Sequence, residues 1–460
     1  MRNVTMKKVF LIFFIALIVR IVYVWFFIEA DYLVLEDQMM YIQLGETMAE
    51  TGDFLQNTSK GYTVVTDRVP GYPAFLSAVY TIFGENNIAV VAVQAFIDSL
   101  TCVVIGLIAE TVIARSFLVS GFISAINLNM IVLSGMILTD TLFLFLFSLF
   151  ILFIFNYLKY PTKIQLFIAI SFLCLATLMR PVSYYLVFFM LPLLIGLFVW
   201  KKITFKQAVY SLVLYIIPVL IAFGSLHYRN YDEYNSFSLT SQGGGHALNW
   251  VVPASYQYSG QGSYQEGKAF AKSYIERSMS RDNIDGLSNN PFESSSYQIK
   301  VAKDALEDLG LMNILHAWSV GAAINMLTPS AAYMPVVRAM EHPSFYATPG
   351  DGAVEKLINY VTNTNGLFYL SIITIGTLIS IVFIIIFVYG LYKMAYFAWV
   401  ENRNREILFL SLFIIIYFLS ITGPIIGVKY RLPVEPIMTL FFAYAASNLL
   451  RNKINRKSGS

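Results

Sequence analysis

Charge is what this sequence has least of. Only 13% of its 460 residues are Asp, Glu, Lys or Arg, against about a quarter in a typical soluble domain, so an ordinary soluble globular chain is excluded. Cysteine is nearly absent. Cys102 and Cys174 both lie in apolar runs, where a thiol packs as a small hydrophobe, and two residues can build neither a disulfide framework nor a metal cluster. The four histidines are scattered along the chain and show no metal-ligand spacing. No Gly-x-x-x-x-Gly-Lys-Ser/Thr loop and no Gly-x-Ser-x-Gly elbow occurs, which argues against an ATP-driven pump and a serine hydrolase. Internal repeats of the kind that build many transporters are also missing.

What is present is apolar and aromatic. Hydrophobic residues make up 57% of the chain, aromatic residues 16%, and the mean hydropathy is +0.64. Several runs reach the ~20 residues needed to cross a hydrocarbon core of ~30 Å. About ten transmembrane helices are expected, near 8–28, 88–110, 116–134, 138–158, 164–179, 183–200, 207–227, 367–392, 407–424 and 434–450. The fold class is an all-α polytopic membrane protein. The first run follows Lys7 and Lys8 as a signal peptide would, but it is too long for one and lacks a small-residue cleavage site. It reads as a retained helix.

The net charge of +3 says less than its distribution. With the N-terminus inside, the short connections and tails on the inner side hold Lys7, Lys8, Lys159, Lys201, Arg403 and Arg451 among other cations, as the positive-inside rule requires. Both termini are then expected in the cytoplasm, with two long segments, 29–87 and 228–366, on the outer face. Three regions follow: an N-terminal transmembrane module over 1–227 that includes the first outer loop, an outer-face region over 228–366, and C-terminal helices with a cytoplasmic tail over 367–460. The stretch "LMNILHAWSVGAAINMLT", 311–328, is expected to lie in the interface rather than to span.

Polar residues gather on the outer side. The first loop reads "EADYLVLEDQMMYIQLGETMAETGDF", in which Glu36 and Asp37 open a helical pattern that puts Tyr41, Leu44 and Met48 on one face. A carboxylate at that position suits a helix N-terminus, where it accepts from free N–H groups. It equally suits a general base taking a proton from an incoming hydroxyl. Asp140, in "GMILTDTLFLFLF", carries the same two readings: a cap, or a functional acid at the end of a span. Asp98 lies deeper, in the second span, as a partner for Arg20 of the first or as a structural residue.

The outer cations recur in one context. Arg68 precedes "VPGYP", Arg180 opens "RPVSYY", Arg229 lies in "HYRNYDEY", and Lys429 and Arg431 flank Tyr430 in "VKYRLPVEP". Prolines beside Arg68 and Arg180 stiffen the backbone there. Cations on this face oppose the orientation rule and call for partners. Lipid headgroups and loop carboxylates would serve, and so would a phosphate, which the arginine fork fits well. The glycines of "TSQGGGHALNW" allow a close approach of backbone to ligand. The tyrosines of the outer loops suit sugar stacking or the membrane interface.

Taken in order, "LEDQMMYIQL", "TGDF", "RVPGYPAFLSAVYTIFG", "LTDTLF", "LMRPVSYYL", "RNYDEYNSFSL" and "YRLPVEP" resemble the GT-C membrane glycosyltransferases, in particular the protein O-mannosyltransferases and the aminoarabinose transferase of lipid A. These blocks cover most of 1–250 and 410–450, while 260–360 matches no pattern. The resemblance implies an inverting transferase that moves a sugar from polyprenyl phosphate to an acceptor hydroxyl at the outer face of the cell membrane. It implies Asp37 as catalytic base, with Glu36 beside it as the other candidate, and Asp140 as the second acid. Arg68 takes the place of the residue that contacts the donor phosphate, with Arg431, Arg180, Lys429 and Arg229 as further phosphate ligands. Tyr41, Tyr72 and Tyr430 would line the pocket. No cofactor is required and no metal is predicted, although the acids leave a divalent ion possible. The partners implied are the lipid-linked donor, a glycan, glycolipid or protein acceptor, and membrane lipids, without nucleic acid. Two positions depart from the pattern: the acids are Glu36-Asp37 where Asp-Glu or one Asp is usual, and Asp140 stands where Glu is frequent.

Two other readings compete. A polysaccharide polymerase or ligase would share the span number, the large outer loop and the arginines, but not the first-loop acid with "RVPGYP". A lipid-linked sugar flippase would need polar residues through the membrane, and beyond Arg20 and Asp98 few are found.

Overall fold

A computed structural model describes residues 4–28, 37–59, 61–201, 203–338, 340, 348–362 and 366–457. Among these residues the chain is helical apart from one hairpin. The elements run α1 (Met6–Phe27), α2 (Asp37–Thr51), β1 (Leu55–Thr58), β2 (Gly61–Val64), α3 (Gly71–Phe83), α4 (Asn87–Val112), α5 (Phe117–Ala125), α6 (Leu128–Ser134), α7 (Asp140–Lys159), α8 (Lys163–Met179), α9 (Tyr184–Trp200) and α10 (Phe205–Tyr234). There follow α11 (Gln242–His246), α12 (Val252–Tyr258), α13 (Tyr264–Asp282), α14 (Pro291–Leu309), α15 (Leu311–Leu327), α16 (Pro335–Arg338), α17 (Ala353–Val361), α18 (Gly366–Val400), α19 (Arg405–Thr422) and α20 (Glu435–Lys457).

Each expected span coincides with helix, but ten full-length spans are not found. Among the described residues, seven helices are long and apolar enough to cross a membrane, or eight if a bent pair counts as one span. The pair is α5 and α6, expected as one straight span and bent instead by 53°. The break has a local cause. Asn127 is extended, and its side chain accepts from the N–H groups of Asn129 and Met130, so it starts a new helix inside the apolar run. α8 and α15 are apolar but shorter, at 17 residues each. The β1–β2 hairpin was also unforeseen; Leu55 pairs with Val64 and Thr58 with Gly61, closing a tight antiparallel turn.

The chain forms two compact units, residues 1–233 with 385–418 and 432–460, and residues 234–384 with 419–431. In the first, α1, α4 and α5 pack around Ile12, Ala16, Cys102 and Phe117. Beside this core, α2, α3 and α4 pack around Ile42, Tyr72, Leu76 and Val90, with Ile137 from the segment before α7. Of the two readings open for Asp98, the pairing with Arg20 is found, with Nε 2.6 Å from Oδ2 and both side chains buried.

In the second unit, Leu248, Val252, Ala271, Val301 and Ala305 form a small core among α12, α13, α14 and the turn preceding α12. Ser263 and Glu266 make a capping box that starts α13. Asn325 of α15 donates to the Ile425 carbonyl at 2.9 Å and accepts from the Gly427 N–H at 2.8 Å, fixing the 419–431 segment to that helix.

Candidate active site

The site begins with two helix starts. Asp37 is the first residue of α2 and Asp140 the first of α7, where the helix start leaves backbone N–H groups without partners within the helix. Asp140 is not a cap; Thr139 holds that position. Instead Asp140 is buried and paired with the Arg180 guanidinium. Arg180 terminates α8, where carbonyls at the helix end favour a cation. Glu36 lies outside the described residues.

Tyr41 belongs to the same helix as Asp37. It stands one turn along α2 from Asp37, and its phenol is pushed above the usual range chiefly by burial. Arg68 and Arg180 pull it down, while Asp140 and Asp37 push it further up. Tyr41 also meets Tyr72 edge to face, ring centroids 5.2 Å apart.

The stretch "TDRVPGYPAF" builds the opposite wall. Pro70 precedes α3, its carbonyl accepting from the Ala74 N–H at 2.9 Å. A Cβ on Gly71 would stand 2.5 Å from the Leu178 carbonyl, so only glycine lets α3 start against the end of α8 that bears Arg180. Arg68 donates from Nη1 to the Asp67 carboxylate at 2.9 Å and to the Asp67 carbonyl at 3.1 Å. Arg229 braces the same loop, donating to the Val65 carbonyl at 3.2 Å and to Asn230 Oδ1 at 2.8 Å. Below Pro70 and Leu178, an apolar groove of about 410 Å³ runs between α8 and α10 past Ser171, Cys174 and Pro218.

Arg431, Lys429 and Tyr430 belong to the second unit. Arg431 donates to the Met326 carbonyl at 2.7 Å and to the Thr328 carbonyl at 3.4 Å, which places its charge at the C-terminal end of α15. Lys429 lies 5.9 Å from the Tyr430 ring centroid. Within the glycine run, Gly244 uses its freedom for close approach to pack α11 against α14. A Cβ on Gly244 would fall 2.2 Å from the Ser295 carbonyl, and the Gly244 N–H donates to Ser295 Oγ at 2.9 Å. Among the described residues, no three His, Cys, Asp or Glu side chains group as metal ligands.

Two buried glutamines were missed. Gln38 accepts the Ile137 N–H at 2.8 Å, and Gln94 donates to the carbonyls of Ser134 and Met136 at 3.2 and 2.7 Å. The signal was there: Gln94 is an amide within an apolar span, "VAVQAFIDSL".

A structure of the archaeal oligosaccharyltransferase AglB from Archaeoglobus fulgidus, in complex with an inhibitory peptide and a dolichol-phosphate, aligns with 98% of this chain at a TM-score of 0.52 and 12% identity. The fold is of the GT-C type. The chain spans about half of AglB, 51% of its length. ArnT from Cupriavidus metallidurans bound to undecaprenyl phosphate aligns with a TM-score of 0.41 at 12% identity, over 96% of this chain and 77% of that one. No family model and no curated sequence matches the chain. In this GT-C-type chain the paired carboxylates and the Arg68 loop all belong to the first unit.

Proposed function

We propose that this chain is an inverting glycosyltransferase that moves a sugar from a polyprenyl-phosphate donor to an acceptor hydroxyl at the outer face of the membrane. The observation that carries this reading is the Asp140–Arg180 pair where α7 begins and α8 ends, with Gly71 of the Arg68 loop packed against that same end of α8. It combines a carboxylate with guanidinium groups for a phosphate. The apolar groove that starts at Pro70 and Leu178 supports it further, because an anionic head beside Arg68 and Arg180 would leave its hydrocarbon tail there. The neighbour of shared fold, AglB, holds a dolichol-phosphate.

In the proposed reaction Asp37 takes the acceptor hydroxyl proton as the oxygen attacks the anomeric carbon from the face opposite the leaving group. The bond from the anomeric carbon to the phosphate oxygen breaks, and the polyprenyl phosphate departs with the electron pair. Arg68 and Arg180 stabilise the charge that develops on it. Asp140 holds Arg180 in place for that task. The lipid-linked donor carries the free energy, so no nucleotide takes part.

The test is turnover of a short-chain polyprenyl-phosphate sugar by the purified protein in detergent, followed as release of polyprenyl phosphate with an acceptor present. Release supports the transferase. Movement of the intact sugar lipid across liposomes without release would replace it with a flippase.

A further inference from the structure

The two carboxylates lie on helices that begin about a hundred positions apart in the chain, so something must fix their relative placement. The bond that does this involves neither acid. Gln38 directly follows Asp37 and is buried. Its Oε1 accepts the backbone N–H of Ile137 at 2.8 Å. Ile137 lies three positions before Asp140, in the irregular segment between α6 and α7. The same segment is gripped from α4, where Gln94 Nε2 donates to the Ser134 carbonyl at 3.2 Å and to the Met136 carbonyl at 2.7 Å. Gln94 is itself oriented, since its Oε1 accepts from the Tyr72 hydroxyl at 2.7 Å. Tyr72 stacks edge to face on Tyr41.

We propose that Gln38 and Gln94 are positioning residues, a two-sided clamp on Ser134–Ile137 that sets Asp140 and its Arg180 partner in register with Asp37. The physical ground is the burial of the backbone. An irregular segment inside the protein must find partners for its N–H and C=O groups, and here side chains that lead to the reacting groups supply them. A fully satisfied buried polar network of this kind specifies a single arrangement. The clamp explains an amide placed within an apolar span and a glutamine in place of an apolar residue beside the first-loop acid. Neither glutamine touches donor or acceptor in this assignment. Its catalytic part rests on the transferase reading above.

The experiment compares Gln38→Leu, which removes the acceptor, with Gln38→Glu, which keeps an acceptor oxygen at the same place. Turnover and donor KM are measured together with hydrogen exchange of the 134–140 segment in detergent. In Q38L, kcat should fall roughly tenfold to a hundredfold, the scale of an ångström-sized misplacement. Donor KM should rise by less than kcat falls, since Arg68 keeps its contact with the phosphate while Arg180 shifts with Asp140. Exchange of the segment should quicken, and Q38E should restore both. If Q38L proves too unstable to purify, Tyr72→Phe loosens the other jaw by releasing Gln94, with a smaller fall in kcat in the same direction. Faster exchange in Q38L with wild-type kcat would overturn the positioning role. Unchanged exchange would overturn the clamp itself, and so would a Q38E variant as impaired as Q38L. A wild type that releases no polyprenyl phosphate would sink the transferase reading, and the exchange comparison would still pass or fail the clamp.

Discussion

Among the described residues, the first unit contains two arginine–aspartate pairs with a buried carboxylate, and they differ in how completely the guanidinium is enclosed. Arg20 is fully buried between α1, α4 and α5. It donates to Asp98 Oδ2, to the carbonyls of Ala16, Ala125 and Ser124, and to Cys102 Sγ, at 2.6 to 3.5 Å. That uses every donor such a group possesses. Arg180 is paired with Asp140 at the ends of two helices, and its side chain keeps 15% of its exposure. A guanidinium whose whole capacity is spent inside the protein holds helices together. One that keeps part of its surface open, at the end of a helix two residues from a groove-lining leucine, has capacity left for a ligand in the proposed reading.

The comparison breaks most sharply if Arg20 is removed. Arg20→Leu strands Asp98 as a buried unpaired charge, and loss of one partner of such a pair costs about 3–5 kcal/mol. The variant should unfold at a much lower temperature in detergent, while Arg20→Leu with Asp98→Leu should recover most of the loss. Recovery in the double variant would mark the pair as structural.

Arg68→Gln is the matching change at the site. Hydrogen bonds to a charged group are worth ~1.5–3 kcal/mol, so affinity for polyprenyl phosphate should drop about tenfold to a hundredfold, with the unfolding temperature close to wild type. Titration calorimetry alongside a melting curve would read both. A stability loss without an affinity loss would put Arg68 in the structural class with Arg20.

The smallest effect is expected at Glu46 on α2. Burial holds its carboxyl above the usual range, with Glu85 and Glu50 adding to the shift. A raised acid pKa means that the folded state binds the proton more tightly than the unfolded state. Its stabilising share is therefore present below the ordinary glutamate pKa and is lost as the pH rises through the folded value. Glu46→Gln should raise stability at pH 7 by under about 1 kcal/mol after solvent screening, read as a slightly higher melting temperature. The gap should close below about pH 4.

The legible and illegible parts of this molecule divide along physical lines. Apolar runs and their flanking cations gave the helices and the membrane class, because both follow from local composition. Helix starts at Asp37 and Asp140 were readable for the same reason. The break at Asn127 was not, since one capping side chain in an apolar run is a weak local signal against a strong regional one. Tertiary partners were hidden as well. Nothing in spacing says that Asp140 meets Arg180 forty residues on, or that Gly71 exists to fit the Leu178 carbonyl. Gly244 misled for a related reason: glycine permits close approach, and the sequence does not say to what.

The most direct test of the central claim is Asp37→Asn, with release of polyprenyl phosphate and donor affinity measured on the same preparation. The account predicts turnover lower by roughly 10²–10⁴-fold, the usual contribution of a general base, with donor affinity and melting temperature unchanged. Turnover equal to that of the wild type would contradict it.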